Sequence, residues 1–250
     1  MTKIINRNNQ TKACGLTLIE CLLAASLMLL IIMATVELSR GFRRLFFSLK
    51  KSQEFYQEIW AGQDKLRRDL AKAGYGLEAC LAYGLIMSLE SKDNGLAIYS
   101  REATFPLKPD IASGSTVIPI SHNNSISRGQ LGAIIDDKKG ELFRVNKVEK
   151  EKIYLSQPLK ESYLAGSLVL VIEEIFYYLD RNNQILRRRV NSSSGQPLLE
   201  NVTEFNWLIG NEGKVQITLL FKLEVGGKRE ILNEIKIFPK NAVLHQTKLF

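Results

Sequence analysis

LTLIECLLAASLMLLIIMATV, residues 16–36, is an apolar run in which Glu20 is the only charged residue. A helix of this length reaches ~32 Å at ~1.5 Å per residue, enough to cross a bilayer core of about 30 Å. A secretory signal has a shorter apolar region followed by a small-x-small cleavage site; no such site follows here, which disfavours signal-peptide removal. Lys3, Arg7 and Lys12 precede the run, and Arg40, Arg43 and Arg44 follow it closely. Counting charges therefore leaves the orientation open.

Glu20 is the anomaly. A carboxylate at membrane depth is costly, and such groups usually have a partner and a function. The plainer alternative puts Glu20 at the membrane boundary of an ordinary signal anchor.

The residues around Glu20 weigh against that alternative. Cys14-Gly15-Leu16-Thr17-Leu18-Ile19-Glu20, behind a basic leader and ahead of an apolar helix, resembles the processing motif of type IV prepilins and type II secretion pseudopilins. The resemblance implies cleavage between Gly15 and Leu16 by a prepilin peptidase on the cytoplasmic side, then N-methylation of Leu16. Thr17 and Glu20 are the residues it assigns to assembly. The Glu20 carboxylate would face the N-terminal amine of a neighbouring subunit, an opposite charge that offsets desolvation and sets axial register. Leu16 stands where the family usually has Phe, and the leader of residues 1–15 is on the long side.

Beyond the run, Leu38, Phe42, Leu45, Leu49, Tyr56, Ile59, Leu66, Leu70 and Ala73 recur at helical spacing with mostly polar residues between them. The spacing predicts one long helix that continues through Gly41 and Gly62, the two positions where it could bend, and stops at Ala73-Gly74-Tyr75-Gly76. Arg40, Arg43, Arg44, Lys50 and Lys51 read as a solvated face near lipid headgroups. Phe46, Phe47, Phe55 and Trp60 read as packing residues for a sheet or a neighbouring subunit.

After residue 84 short β-like runs alternate with Gly, Asn, Asp and Pro. Strands are expected at residues 95–100, 116–121, 141–148 and 152–155. Two hairpins are expected, residues 168–179 with 184–190 around Asp180-Arg181-Asn182-Asn183, and 215–225 with 228–237 around Gly226-Gly227. Leu66-Arg67-Arg68-Asp69, Ala73-Gly74-Tyr75-Gly76, Tyr177-Tyr178-Leu179, Leu186-Arg187-Arg188 and Pro197-Leu198-Leu199-Glu200-Asn201-Val202 resemble the PilW/PulJ type of minor pilins and pseudopilins. That resemblance implies an α+β, pilin-like fold: a leader at 1–15, a transmembrane part of the first helix at 16–36, its exported part at 37–76 and a β-rich exported domain at 77–250. Residues 112–171 would be a β insertion.

The totals agree with one exported domain on one anchor. The 250 residues are 45% hydrophobic and 24% charged, and a mean hydropathy of −0.06 excludes a polytopic membrane protein. The formal charge is +8, part of it in the leader, and a solvated basic surface explains the rest. Cys80 alone lies outside the N-terminal region that holds Cys14 and Cys21, so no disulfide forms within the exported domain.

No phosphate loop, zinc signature or nucleophile motif is present. His122 and His245 read as surface residues. Asp136-Asp137 before Lys138-Lys139-Gly140 reads as a charged β-turn in preference to a calcium loop. Arg187-Arg188-Arg189 makes a poor single patch for DNA, because alternate strand residues face opposite ways. Asn201-Val202-Thr203 fits a glycosylation sequon.

The expected function is a non-enzymatic minor pilin or pseudopilin without a cofactor. It would reside in the bacterial cytoplasmic membrane with its domain outside, then enter a pilus or pseudopilus, in the initiating or tip complex. Its partners would be other pilins or pseudopilins, the prepilin peptidase, the inner-membrane assembly machinery and the membrane itself, with DNA not among them. The alternatives are a single-pass anchored binding domain that never polymerises, and an exported enzyme, which a deep polar pocket would revive.

Overall fold

A 54-residue helix, α1 (Leu18–Ala71), leads into an antiparallel β structure, so the α+β layout expected from the sequence is present. The computed structural model describes residues 17–92, 94–120, 126–210, 216–225, 229–239 and 241. Two compact units divide between Gln57 and Glu58.

The first unit is helical in all its described residues but Thr17. Its large apolar side chains from Leu18 to Leu49 are exposed, Phe55 is half-buried, and the apolar N-terminal part of α1 is long enough to cross a membrane. α1 runs through Gly41 and Gly62 without interruption. Gly41 has open space around it, whereas a Cβ at Gly62 would lie 2.5 Å from Leu199 Cδ2. The glycine at 62 is there for close approach, not for a break.

The second unit opens with the last turns of α1. Ile59, Gly62, Leu66, Asp69, Leu70 and Ala73 are buried, a spacing of three and four that puts them on one face. The helix gives way at Ala73-Gly74-Tyr75-Gly76, where Gly74 and Gly76 have φ of 74° and 68°. Gly74 N donates to Tyr99 O at 2.8 Å and Arg101 N to Tyr75 O at 2.9 Å, so this turn is laced to the first long strand. A short helix α2 (Glu78–Ala82) follows.

The strands are β1 (Leu89–Lys92), β2 (Gly95–Pro106), β3 (Val117–Pro119), β4 (Leu131–Ile135), β5 (Gly140–Glu149), β6 (Lys152–Leu155), β7 (Leu168–Asp180), β8 (Ile185–Val190), β9 (Gln196–Leu199), β10 (Val202–Gly210), β11 (Gln216–Val225) and β12 (Arg229–Ile237). One sheet has the order β1-β2-β7-β4-β5-β6-β3, with β8 joining β7 to β9; β10-β11-β12 form a second sheet. β7 organises the first. It pairs along its length with β2 on one edge, while on the other its first half pairs with β4 and its second half with β8.

Both expected hairpins are formed. Asp180 lies opposite Ile185 and Val225 opposite Arg229; Gly226-Gly227 lie outside the described residues. The expected strand at 95–100 extends to Pro106 because β7 offers a partner that far. Strands β1, β4, β9 and β10 were not expected. β4, LGAII, lies between β5 and β7 and has both faces covered, so it carries no alternation to read.

β3 to β6 enter the chain between β2 and β7 and contribute to a core of their own. Ile118, Ile134, Phe143, Val145 and Ile153 pack there with Tyr163 and Val169. On β7, Leu170 and Ile172 join Leu77 and Cys80 in a second cluster. Tyr177 points the opposite way, since successive strand residues alternate. In the turn from β4 to β5, Asp136 Oδ1 accepts from the amides of Lys138 at 2.8 Å and Lys139 at 3.2 Å. This is a charged turn held by its own backbone.

Candidate functional site

α1 begins with a side chain turned back on its own first residue. Thr17 N and Thr17 Oγ1 both donate to Glu20 Oε2, at 2.8 Å and 2.9 Å. The carbonyl of Thr17 accepts from the amides of Glu20 and Cys21, at 3.1 Å and 3.2 Å. This is one arm of a Thr-x-x-Glu capping box, in which a carboxylate three residues into the helix satisfies the amide of the capping residue. An acid here is also favoured by the positive end of the helix dipole. The spacing was legible in the sequence; the bond itself was not foreseen.

Thr17 and Glu20 are thus brought together at the head of α1. Gly15 and Leu16, the expected cleavage pair, lie outside the described residues. Both bonds fall on Oε2, and the second oxygen of a carboxylate has acceptor capacity of its own. Glu20 is exposed, as are Leu18, Ile19, Leu22 and Leu23 around it.

The exposed apolar surface continues through Leu38, Phe42, Leu45, Leu49 and Tyr56. The sequence offered Phe46, Phe47, Phe55 and Trp60 either a sheet or a neighbouring subunit. Phe46, Phe47 and Trp60 are exposed at 63%, 64% and 68%, and Phe55 is half-buried. On the charged side, Arg40 pairs with Glu37 at 2.6 Å and Lys50 with Glu54 at 3.8 Å.

No family model matches this chain, and neither does any curated protein.

A second constellation lies at the other end of α1. Asp69, 1% exposed, accepts at Oδ2 from Tyr177 Oη at 2.6 Å and from Arg188 Nε at 2.5 Å. Tyr177 and Arg188 are directly opposite each other on β7 and β8, so one cross-strand pair grips one helical carboxylate. The other oxygen, Oδ1, is buried without a hydrogen bond among the described residues, 3.7 Å from Lys65 Nζ. Burial, then the adjacent Asp69 charge, holds the Tyr177 phenol far above its ordinary range, so it remains a donor. No local pattern signals that these three meet, although each lies in a segment carrying the second resemblance.

The arginine run is used inside the fold. Arg187 Nε donates to Asp180 Oδ2 at 2.9 Å, Arg188 reaches Asp69, and the Arg189 guanidinium sits 4.9 Å from the Phe176 ring centre. Among the described residues of the second unit, one open groove of about 840 Å³ runs along β10 past Asn94, Gln184, Asn206 and Trp207, and another, of about 550 Å³, is lined by Glu141, Arg144 and Lys160 among others. Glu141 is held by the amides of Lys160 at 2.8 Å and Glu161 at 3.3 Å. Among the described residues no three His, Cys, Asp or Glu side chains are placed to hold a metal ion. His122 and His245 lie outside them.

Proposed function

We propose that the chain is a minor pilin or pseudopilin, cut between Gly15 and Leu16 by a prepilin peptidase, methylated at Leu16, and drawn from the cytoplasmic membrane into a filament or its priming tip. The observation that carries this reading is the Thr17–Glu20 pair at the head of an exposed apolar helix, directly after Gly15-Leu16. A helix whose apolar run is exposed on all sides from Leu18 to Val36 is suited to lipid and then to other helices, but not to a soluble core. The pilin-like reading of the fold belongs to this proposal and draws support from the packing of the end of α1 on antiparallel sheet, through Gly62 against Leu199 and Asp69 against Tyr177.

The mechanism follows from the charges. In the stored subunit the Thr17 amide and hydroxyl partly replace water around the Glu20 carboxylate. In the filament the free amine of a neighbour's residue 16, made available by cleavage, supplies the full counter-charge. A subunit out of axial register would leave that charge unmet at membrane depth, and register is thereby selected.

The test is incorporation. Glu20→Leu is expected to insert in the membrane at the normal level and be processed, yet be missing from sheared or purified filaments. Normal incorporation of Glu20→Leu would contradict the reading and favour a plain anchored domain.

A further inference from the structure

Among the described residues five strands end the two sheets: β1, β3 and β9 in the larger, β10 and β12 in the smaller. An edge strand leaves a row of backbone amides and carbonyls unpaired, and native edges are usually blunted by shortness, proline or charge. Four of the five follow this rule. β1 is four residues long with Glu90 and Lys92, β3 is three with Pro119, β9 is four with Pro197, and β12 carries Arg229, Glu230, Glu234 and Lys236. β10 breaks it. Its nine residues hold no proline, and their one charge, Glu204, is matched by Lys222 of β11 at 2.9 Å. Val202, Phe205, Trp207, Leu208 and Ile209 make it a strong strand former.

The groove of about 840 Å³ runs along this strand, and every residue from 202 to 208 lines it. Successive strand residues point to opposite faces, so a lining without gaps puts the groove along the edge, where backbone groups point, and not over one face. At one end the edge is already used: Val202 N donates to Gln184 O at 2.8 Å. Among the described residues no other backbone group of β10 bonds outside its own sheet. The far wall is formed by Ser91, Asn94, Leu179, Arg181 and Gln184. The polar side chains of that wall make no hydrogen bond or ion pair with another described residue.

We infer that the free edge of β10 takes up an extended peptide segment of another protein, which adds as a strand to the β10-β11-β12 sheet and brings an Asp or Glu side chain to Arg181. The far wall decides the kind of occupant. An added strand lies about 4.8 Å from its neighbour, and behind it stand Ser91, Asn94 and Leu179. A lone segment fits between them. The edge of a folded sheet, such as β10 of a second copy, brings further strands behind it that the wall excludes. Arg181 sets the charge, because Glu204 is already held by Lys222 while the guanidinium has no acidic partner among the described residues. Main-chain bonds to β10 supply the affinity, and Arg181 with Asn94 and Gln184 supplies the selection. This goes beyond the filament reading and does not depend on it.

The experiment pans a phage library of short random peptides against the full chain in detergent micelles, then measures the best synthetic peptide by fluorescence anisotropy. The inference expects enriched peptides that lack proline in their central residues and carry Asp or Glu. N-methylation of alternate peptide amides should weaken binding about ten-fold, and methylation of the intervening amides several-fold less, the pattern of a strand paired along one edge. Asn206→Lys and Leu208→Lys, both at exposed positions, should blunt the edge and remove binding, whereas Leu232→Lys, exposed on β12, should leave it unchanged. Arg181→Glu should lower the affinity for acidic peptides several-fold, and Arg181→Lys should keep most of it. The methylation series uses the unaltered chain, so it stands even where a variant fails to fold. No enriched peptide, equal losses from the two sets of amides, indifference to the β10 lysines, or pairing of two copies of this chain that those lysines disrupt would overturn the inference.

Discussion

Asp69 and Arg188, 119 residues apart in the chain, meet at 2.5 Å with both side chains largely withdrawn from water. Tyr177 completes the arrangement from the opposite strand. The bond fixes the axial position and rotation of the helix end on β7 and β8, because a guanidinium Nε–H and a phenol accept only one placement of the carboxylate.

Removing one partner of this pair is expected to cost more than the pair contributes, since the other charge stays buried. Asp69→Ala should lower unfolding stability by about 3–5 kcal/mol, read as a urea midpoint of the full chain in detergent micelles by near-ultraviolet circular dichroism. Lys65→Met, at the half-exposed flank, should change it by less than about 1 kcal/mol. Equal effects from the two would remove Asp69 from its assigned role.

Gly62 and Leu199 give a paired prediction. Alanine normally stabilises a helix interior over glycine by about 1 kcal/mol, and Gly41→Ala, in open space, should do so or be neutral. Gly62→Ala should instead destabilise by about 1–3 kcal/mol through overpacking against Leu199. Combined with Leu199→Ala, the Gly62→Ala penalty should vanish, giving a favourable coupling in a double-mutant cycle. Additive losses would show that the contact is not what the glycine serves.

The segments involved show what the sequence could reveal. α1, the β7–β8 hairpin and the β11–β12 hairpin announce themselves by period and turn residues, which are local properties. β4 does not, because a strand covered on both faces loses its alternation, and β9 hides behind Pro197. Thr17 with Glu20 was readable as Thr-x-x-Glu at a helix start. The convergence of Asp69, Tyr177 and Arg188 was not, because it depends on strand register and on which helix face meets the sheet. Gly62 reads from the sequence only as a place where the helix could bend, because local sequence shows the missing side chain but not Leu199 filling its place.

Alkaline pH offers a third test. Burial pushes the Cys80 thiol from 9.0 up to about 11, and burial first raises the Tyr99, Tyr163 and Tyr177 phenols above their ordinary range. All four keep their protons longer when folded, so their contribution is whole below the unfolded values and is lost as pH rises through the folded ones. The urea midpoint should stay level to about pH 8.5 and fall from about pH 9 upward, and Cys80→Ala should delay the fall toward about pH 10, where unfolded tyrosine ionises. An unchanged onset in Cys80→Ala would contradict the assignment of the thiol.

What happens at Gly15-Leu16 separates a filament subunit from a plain anchored domain. Intact-mass and N-terminal peptide analysis of the chain extracted from its native membrane tests this directly. The predicted result is a chain that begins at N-methylated Leu16, with Glu20 as its first acid. A chain that still carries Met1 to Gly15 in cells with working filaments would contradict it.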